Sequence, residues 1–275
     1  MKRTVYSLAM VFLLLQSRSG SAQEEFIEPP SKYITSIPFI QLTGGIIIMQ
    51  ARLDSIADTL NFILDTGSSG ISLDSTTADY LNLKPTPSNR TIRGIAGIRN
   101  VSFLYNRSLR LPGLNIDSLN FHINDYSILT TVYGERIDGI IGYAVLSRYI
   151  VKLDYDSSKI TFASPGTIRY PRSGYLLKPN ITQLVTQSMR VRDARTINSR
   201  FLFDLGAGLC VLFSRDFIDD SSLLDKKRKR WQKEGEGLGG KIDMELTVVK
   251  EVKVGPYKFR NVPAFIFDDV YNVTS

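Results

Sequence analysis

A mostly β fold made of two homologous, barrel-like lobes with short helices is predicted by three observations. Apolar, β-branched runs recur along the chain, punctuated by the Gly, Asn, Asp and Pro residues that turns require. One motif occurs twice, as Phe62-Ile63-Leu64-Asp65-Thr66-Gly67-Ser68 and as Phe201-Leu202-Phe203-Asp204-Leu205-Gly206-Ala207. The order of elements after each copy also repeats. Asp65 to Gly97 spans 97 − 65 = 32 residues and Asp204 to Gly240 spans 240 − 204 = 36. Asp65 to Asp125 and Asp204 to Asp268 span 60 and 64. A unit this long, present twice, means two lobes rather than a solenoid.

The N-terminus reads as a signal peptide over residues 1–22. Lys2 and Arg3 give a positive start, Val5 to Leu15 an apolar stretch too short to span a bilayer, and Gly20-Ser21-Ala22 a small-residue cleavage site. The mature protein is therefore expected to be exported, periplasmic or secreted, in a bacterial type of pathway, with no stable membrane span once the signal is removed. Residues 23–33 form a leader with Pro29-Pro30, residues 34–170 a first lobe and residues 171–275 a second. The formal charge of +7 includes Lys2, Arg3 and Arg18, so the mature chain carries 7 − 3 = +4, a solubility charge rather than a nucleic-acid footprint. Lys226-Lys227-Arg228-Lys229-Arg230 is the one basic run and reads as a solvated face. A single Cys and a single His, Cys210 and His122, exclude disulfides and the usual zinc ligand sets, and no metal or cofactor is expected. Cys210 sits in an apolar run and is expected to be a small buried residue. His122 alternates with Phe121 and Ile123 as a strand residue would. Oligomeric state is not legible.

In chain order, Ile34 to Ile48 reads as strand interrupted by a hairpin or bulge at Gly44-Gly45. Gln50 to Leu53 and Leu60 to Leu64 pair around the turn at 54–58, and Ser75 to Leu83 opens with Ser/Thr as a short helix. Gly94 to Gly97 is a hairpin tip, Val101 to Leu111 and Leu119 to Ile123 are strands, and Ile140-Ile141-Gly142 leads into a helix at Tyr143 to Tyr149. Val151 to Tyr155 and Lys159 to Phe162 make a hairpin, and Tyr170 to Gly174 is the linker. The second lobe then runs through Met189 to Arg192, Phe201 to Phe203, and a helix around Ser214 to Leu224. A glycine-rich tip at Gly235 to Gly240 follows, and last come strands over Glu245 to Val254 and Val262 to Phe267. By the same intervals, a counterpart of Asp138 to Gly142 falls beyond residue 280. The second lobe is therefore expected to be incomplete, as in a C-terminally truncated fragment.

The two Asp motifs together with Ile140-Ile141-Gly142 resemble the pepsin-like and retropepsin-like aspartic proteases of bacterial exported type, over residues 34–275. The resemblance implies a bilobal aspartic-protease fold and a catalytic pair, Asp65 and Asp204, supported by Thr66, Gly67, Ser68, Gly206 and Ala207. Ile140, Ile141 and Gly142 match the family's apolar-apolar-Gly signature. The tips at Gly94 and Gly97 and at Gly237 and Gly240 match flaps, and read equally as plain hairpin loops.

The chemistry implied is peptide-bond hydrolysis. Two carboxylates held together cannot both ionise, so one serves as base toward a water while the other donates a proton. The glycines let backbone amides approach the carboxylates, and Ser68 is expected to hydrogen-bond Asp65. The partner implied is a peptide or protein substrate, with no nucleic acid. Leu205 departs from the family, whose members carry Thr or Ser there to tie the two loops together. That departure and the incomplete lobe leave a second reading open: a catalytically impaired peptide-binding or scaffold protein of the same fold.

Overall fold

The computed structural model describes residues 28–237 and 239–274, so the expected signal peptide and most of the leader lie outside the described residues. Strands β1 (Tyr33–Gln41) and β2 (Ile47–Leu53) flank a single 3-10 turn, Thr43–Gly45, made possible by a positive φ of 78° at Gly44. Next come β3 (Leu60–Leu64), β4 (Ile71–Asp74), α1 (Ser75–Tyr80), β5 (Thr91–Gly94), β6 (Gly97–Asn100), β7 (Phe103–Leu111) and β8 (Leu114–Asn124). The first lobe ends with α2 (Ser127–Tyr133), β9 (Gly139–Ile141), α3 (Tyr143–Leu146), β10 (Ile150–Asp154) and β11 (Lys159–Ala163). The second contains β12 (Asn180–Ile181), β13 (Val185–Arg192), β14 (Thr196–Leu202), β15 (Leu212–Ser214) and α4 (Arg215–Ser221). It closes with β16 (Trp231–Gly237), β17 (Gly240–Val254) and β18 (Tyr257–Phe267).

The first sheet runs β10-β11-β1-β2-β3-β9-β4-β8-β7, and β7 pairs back onto β2, which closes a barrel. Alternate residues of its strands, such as Leu60, Phe62 and Leu64, turn inward with Phe121 and Ile141 as a dry core. The opposite face of β3 is buried too, because Ile63 packs with Ile46, Ile48, Tyr126 and Ile137. A strand buried on both faces reads as a continuous apolar run, which is why Phe62-Ile63-Leu64 does not alternate.

The second sheet repeats this plan with one stave missing. β13 pairs β14 and β17, as β2 pairs β3 and β7, and β15 runs parallel to β18 as β4 does to β8. Among the described residues no strand takes the place that β9 holds between β3 and β4. Phe213 and Phe217 stack and Phe201 meets both edge-on, at 5.7–6.0 Å between centroids, and they organise this lobe's core with Val191, Ile218 and Ile266.

Several expectations need correcting. Helix α1 is capped by Asp74, whose carboxylate accepts from Thr77 N at 3.0 Å, rather than by Ser or Thr, and it ends at Tyr80. Helix α3 stops at Leu146, short of Tyr149. Cys210 is exposed rather than buried, because it lies in the loop before β15 rather than in the strand. Helix α2 has no counterpart in the sequence reading, since Thr130, Thr131 and Val132 carry a strand's composition. Polar β16 is equally unannounced.

Asp138 locks β9 in place. Fully buried, it accepts from Asn61 N at 2.8 Å and Thr77 Oγ1 at 2.7 Å, and it pairs with Arg136 Nε at 2.8 Å. Asp138→Ala is expected to destabilise the protein by about 3 kcal/mol, because buried donors are left unpaired. Urea denaturation of the variant beside the parent measures the loss.

Candidate active site

Asp65 follows the buried strand β3 and Asp204 follows the more exposed strand β14, so a strand delivers each carboxyl to the junction of the lobes. Asp65 is anchored from below, its N donating to Ile141 O at 2.9 Å, while β3 and β9 run in parallel through Leu64 and Ile141. Gly142 N donates to Gly70 O at 3.0 Å and Tyr143 N to Ser68 O at 2.8 Å, which ties the apolar-apolar-Gly segment under the loop. A Cβ on Gly142 would stand 2.7 Å from Gly70 O, so no larger residue fits this crossing.

The two loops mirror one another. Gly67 N donates to Asp65 Oδ1 at 2.6 Å, and Gly206 N to Asp204 Oδ1 at 2.7 Å. Each glycine also backs the opposite acid. A Cβ on Gly67 would lie 2.8 Å from Asp204 Oδ1, and one on Gly206 would lie 2.8 Å from both oxygens of Asp65. The absence of two methyl groups is therefore what lets the carboxyls meet and hydrogen-bond each other.

Burial, then repulsion from and hydrogen bonding to Asp204, push the Asp65 carboxyl up to about 8, against the smaller downward pull of the Gly67 and Ser68 amides. Such a pair keeps one proton through neutral pH, and the proton belongs to the pair. Ser68 acts on Asp65 through its backbone amide. Ala207 is exposed.

Thr66 fastens the lobes together. Its hydroxyl donates to Phe203 O at 2.6 Å and accepts from Leu205 N at 3.0 Å. Leu205 cannot return those bonds; its side chain packs against the first lobe's core instead. Apolar contact across the junction stands in for the second hydroxyl.

The flap-tip glycines of the two lobes come together. A Cβ on Gly97 would lie 3.2 Å from Gly239 Cα, and Arg99 Nη2 donates to Gly239 O at 3.0 Å. A Cβ on Gly237 would lie 2.6 Å from Ile95 Cγ1. Gly94 and Gly240 close their hairpins opposite Gly97 and Gly237.

Tyr133, the last residue of α2, is a site neighbour the sequence reading missed. A Cβ on Gly208 would lie 3.2 Å from its hydroxyl, and its pKa is raised by burial and by the charge of Asp204. Only recognition of α2 would have revealed it. His122 stays outside the chemistry: buried against Gly70 and bonded to the Ile71 backbone, it is lowered by burial to about 4 and is neutral at physiological pH. No group of His, Cys, Asp and Glu suited to a metal ion occurs among the described residues.

A model of the aspartyl protease family matches the chain twice, at residues 49–145 and 188–274. The matches start 188 − 49 = 139 residues apart, the interval of 204 − 65 = 139 between the two acids. The chain belongs to the aspartyl protease family, and its fold is mostly β with two lobes. A retropepsin-like aspartic protease from Rickettsia conorii aligns with 17% identity, covering 50% of this chain and 98% of its own, at a TM-score of 0.36. No curated protein matches the sequence.

The raised pKa sets a pH dependence. Asp65 keeps its proton up to about 8 when folded but releases it near 3.8 when unfolded, so its contribution to stability falls as pH rises between those values. Asp65→Asn is therefore expected to melt with the parent at pH 3.8 or below and progressively above it toward pH 8, by thermal denaturation across that range.

Proposed function

We propose that the protein is an exported aspartic endopeptidase that hydrolyses extended peptides with water. The observation that carries the reading is the hydrogen-bonded pair Asp65 and Asp204, presented by mirrored loops with one carboxyl pushed up to about 8. The ionised carboxylate takes a proton from water as the water oxygen bonds to the peptide carbonyl carbon. The protonated carboxyl gives its proton to the carbonyl oxygen. Collapse of the resulting diol breaks the C–N bond, the amine leaves with a proton from the pair, and the pair again holds one proton. The meeting of the hairpin tips at Gly97 and Gly239 supports an extended substrate pairing its backbone with them. Export rests on Lys2, Arg3 and the apolar run from Val5 to Leu15.

A proton shared up to about pH 8 supports activity reaching neutral pH, not acid conditions alone. Asp65→Asn and Asp204→Asn are each expected to lower turnover of a fluorogenic peptide library by about a thousandfold. A statine-type peptide mimic is expected to block the parent. Turnover by the Asp65→Asn protein equal to the parent's would sink the proposal.

The second reading, peptide binding without turnover, is favoured by Leu205 and by the open place between β14 and β15. Leu202 and Phe203 are 43% and 47% exposed there, whereas Ile63 and Leu64, their counterparts, are 2% and 1% exposed under β9. Support for Asp204 is then limiting, and a synthetic peptide copying Asp138–Leu146 is expected to raise turnover by filling that place. Tight binding of the statine mimic with no turnover, with or without the peptide, would establish the second reading over the first.

A further inference from the structure

Strands β14, β13, β17 and β18 lie side by side, and their register fixes which side chains share a face. Val191, Val252 and Phe201 turn to the core. The outward face carries Arg190, Arg192, Arg200, Lys253, Lys258 and Arg260, with Glu251 as its acid, the polar Thr186, Ser188, Thr196 and Asn198, and Leu202 at one end. Glu251 is buried and bonded to Arg190 at 3.1 Å and to Arg192 at 3.3 Å, which leaves a net 6 − 1 = +5 on the face.

This array is not explained by folding. Lys253 stands directly opposite both Arg190 and Lys258, and like charges so placed destabilise a sheet. Arg190 Nε is buried with no hydrogen-bond partner, in a hollow shared with Arg200 and Lys253. The basic run at 226–230 is different, because Arg228 is held by Asp193 and Arg230 by Glu245.

We propose that this sheet face docks the protein on a phospholipid surface rich in anionic headgroups. Its shape selects that partner. The cations lie on four adjacent strands, about 14 Å across, and are about 5–7 Å apart in both directions. A plane of phosphates meets such a grid; an extended acidic peptide follows one line of it, and single-stranded nucleic acid needs stacking aromatics inside it. At the Gly255-Pro256 turn, Tyr175 is 57% exposed and packs against Gly255. A tyrosine at the edge of a cationic surface suits the headgroup level of a bilayer. Each Lys or Arg near an anionic surface strengthens binding about fivefold.

The test is sedimentation of the full chain with vesicles of phosphatidylcholine alone or mixed with phosphatidylglycerol, at about 0.05 M and about 0.5 M salt. The expected result is at least about tenfold stronger binding to the anionic vesicles at low salt, lost at high salt. The variant Arg200→Ser, Lys253→Ser, Lys258→Ser, Arg260→Ser is expected to lose at least about tenfold, and Lys226→Ser, Lys227→Ser to keep the parent's binding. The N-terminal apolar segment is common to all, so differences report the face. If the quadruple variant fails to give the parent's circular dichroism, Arg200→Glu, Lys258→Glu serves with the same expectation. Equal binding by parent and variant, or equal binding to neutral vesicles, would overturn the proposal. So would displacement from vesicles by soluble poly-glutamate or single-stranded DNA at matched charge, which would make a soluble polyanion the occupant.

Discussion

The whole molecule is arranged around two carboxyls that must touch although like charges repel. Their contact is possible because Gly67 and Gly206 leave no side chain behind the opposing acid, and because each acid accepts a hydrogen bond from its own loop's glycine. Everything beneath serves to keep those loops from drifting: β3 and β14 as rigid supports, the Gly142 crossing under the first loop, and Thr66 reaching into the second. The resulting low-dielectric pocket is what raises Asp65, with repulsion from Asp204 adding to it.

The two halves carry this demand unequally. The first loop rests on a closed barrel, on β9 and on the buried Asp138 network. The second rests on a sheet with no counterpart of β9 among the described residues, and its hydroxyl position holds Leu205. The junction is nevertheless continuous, since Leu205 packs into the first lobe's apolar cluster while Thr66 supplies both polar links. Apolar contact has no direction, whereas a hydroxyl fixes an angle, so the second loop is held close by a less specific force.

Much of this was legible in the sequence because the functional parts are local in the chain. Apolar residues followed by Asp-x-Gly specify a strand leading into a carboxylate, and the repeat of intervals marks the duplication. What escaped was determined by distant contacts. Helix α2 forms from a β-branched stretch because its residues cover Ile63 and Ile48, a packing requirement set more than 60 positions away. Polar β16 becomes a strand only because β17 offers it a partner edge. Cys210 read as buried from its apolar neighbours, but it stands exposed in the loop between β14 and β15, where no strand register directs it inward. Capping by Asp74 in place of Ser75 was a shift of one residue, within the range over which local sequence defines a helix end.

The reciprocal glycines have a genetic consequence. A methyl group added at Gly67 does its first damage to Asp204, and one added at Gly206 does it to Asp65. Each lobe thus holds a negative determinant of the other's acid, and a mutation scored in one lobe produces its phenotype in its sibling. The duplicated halves can no longer be shuffled, swapped or optimised one at a time: the unit of inheritance for this site is the pair of loops.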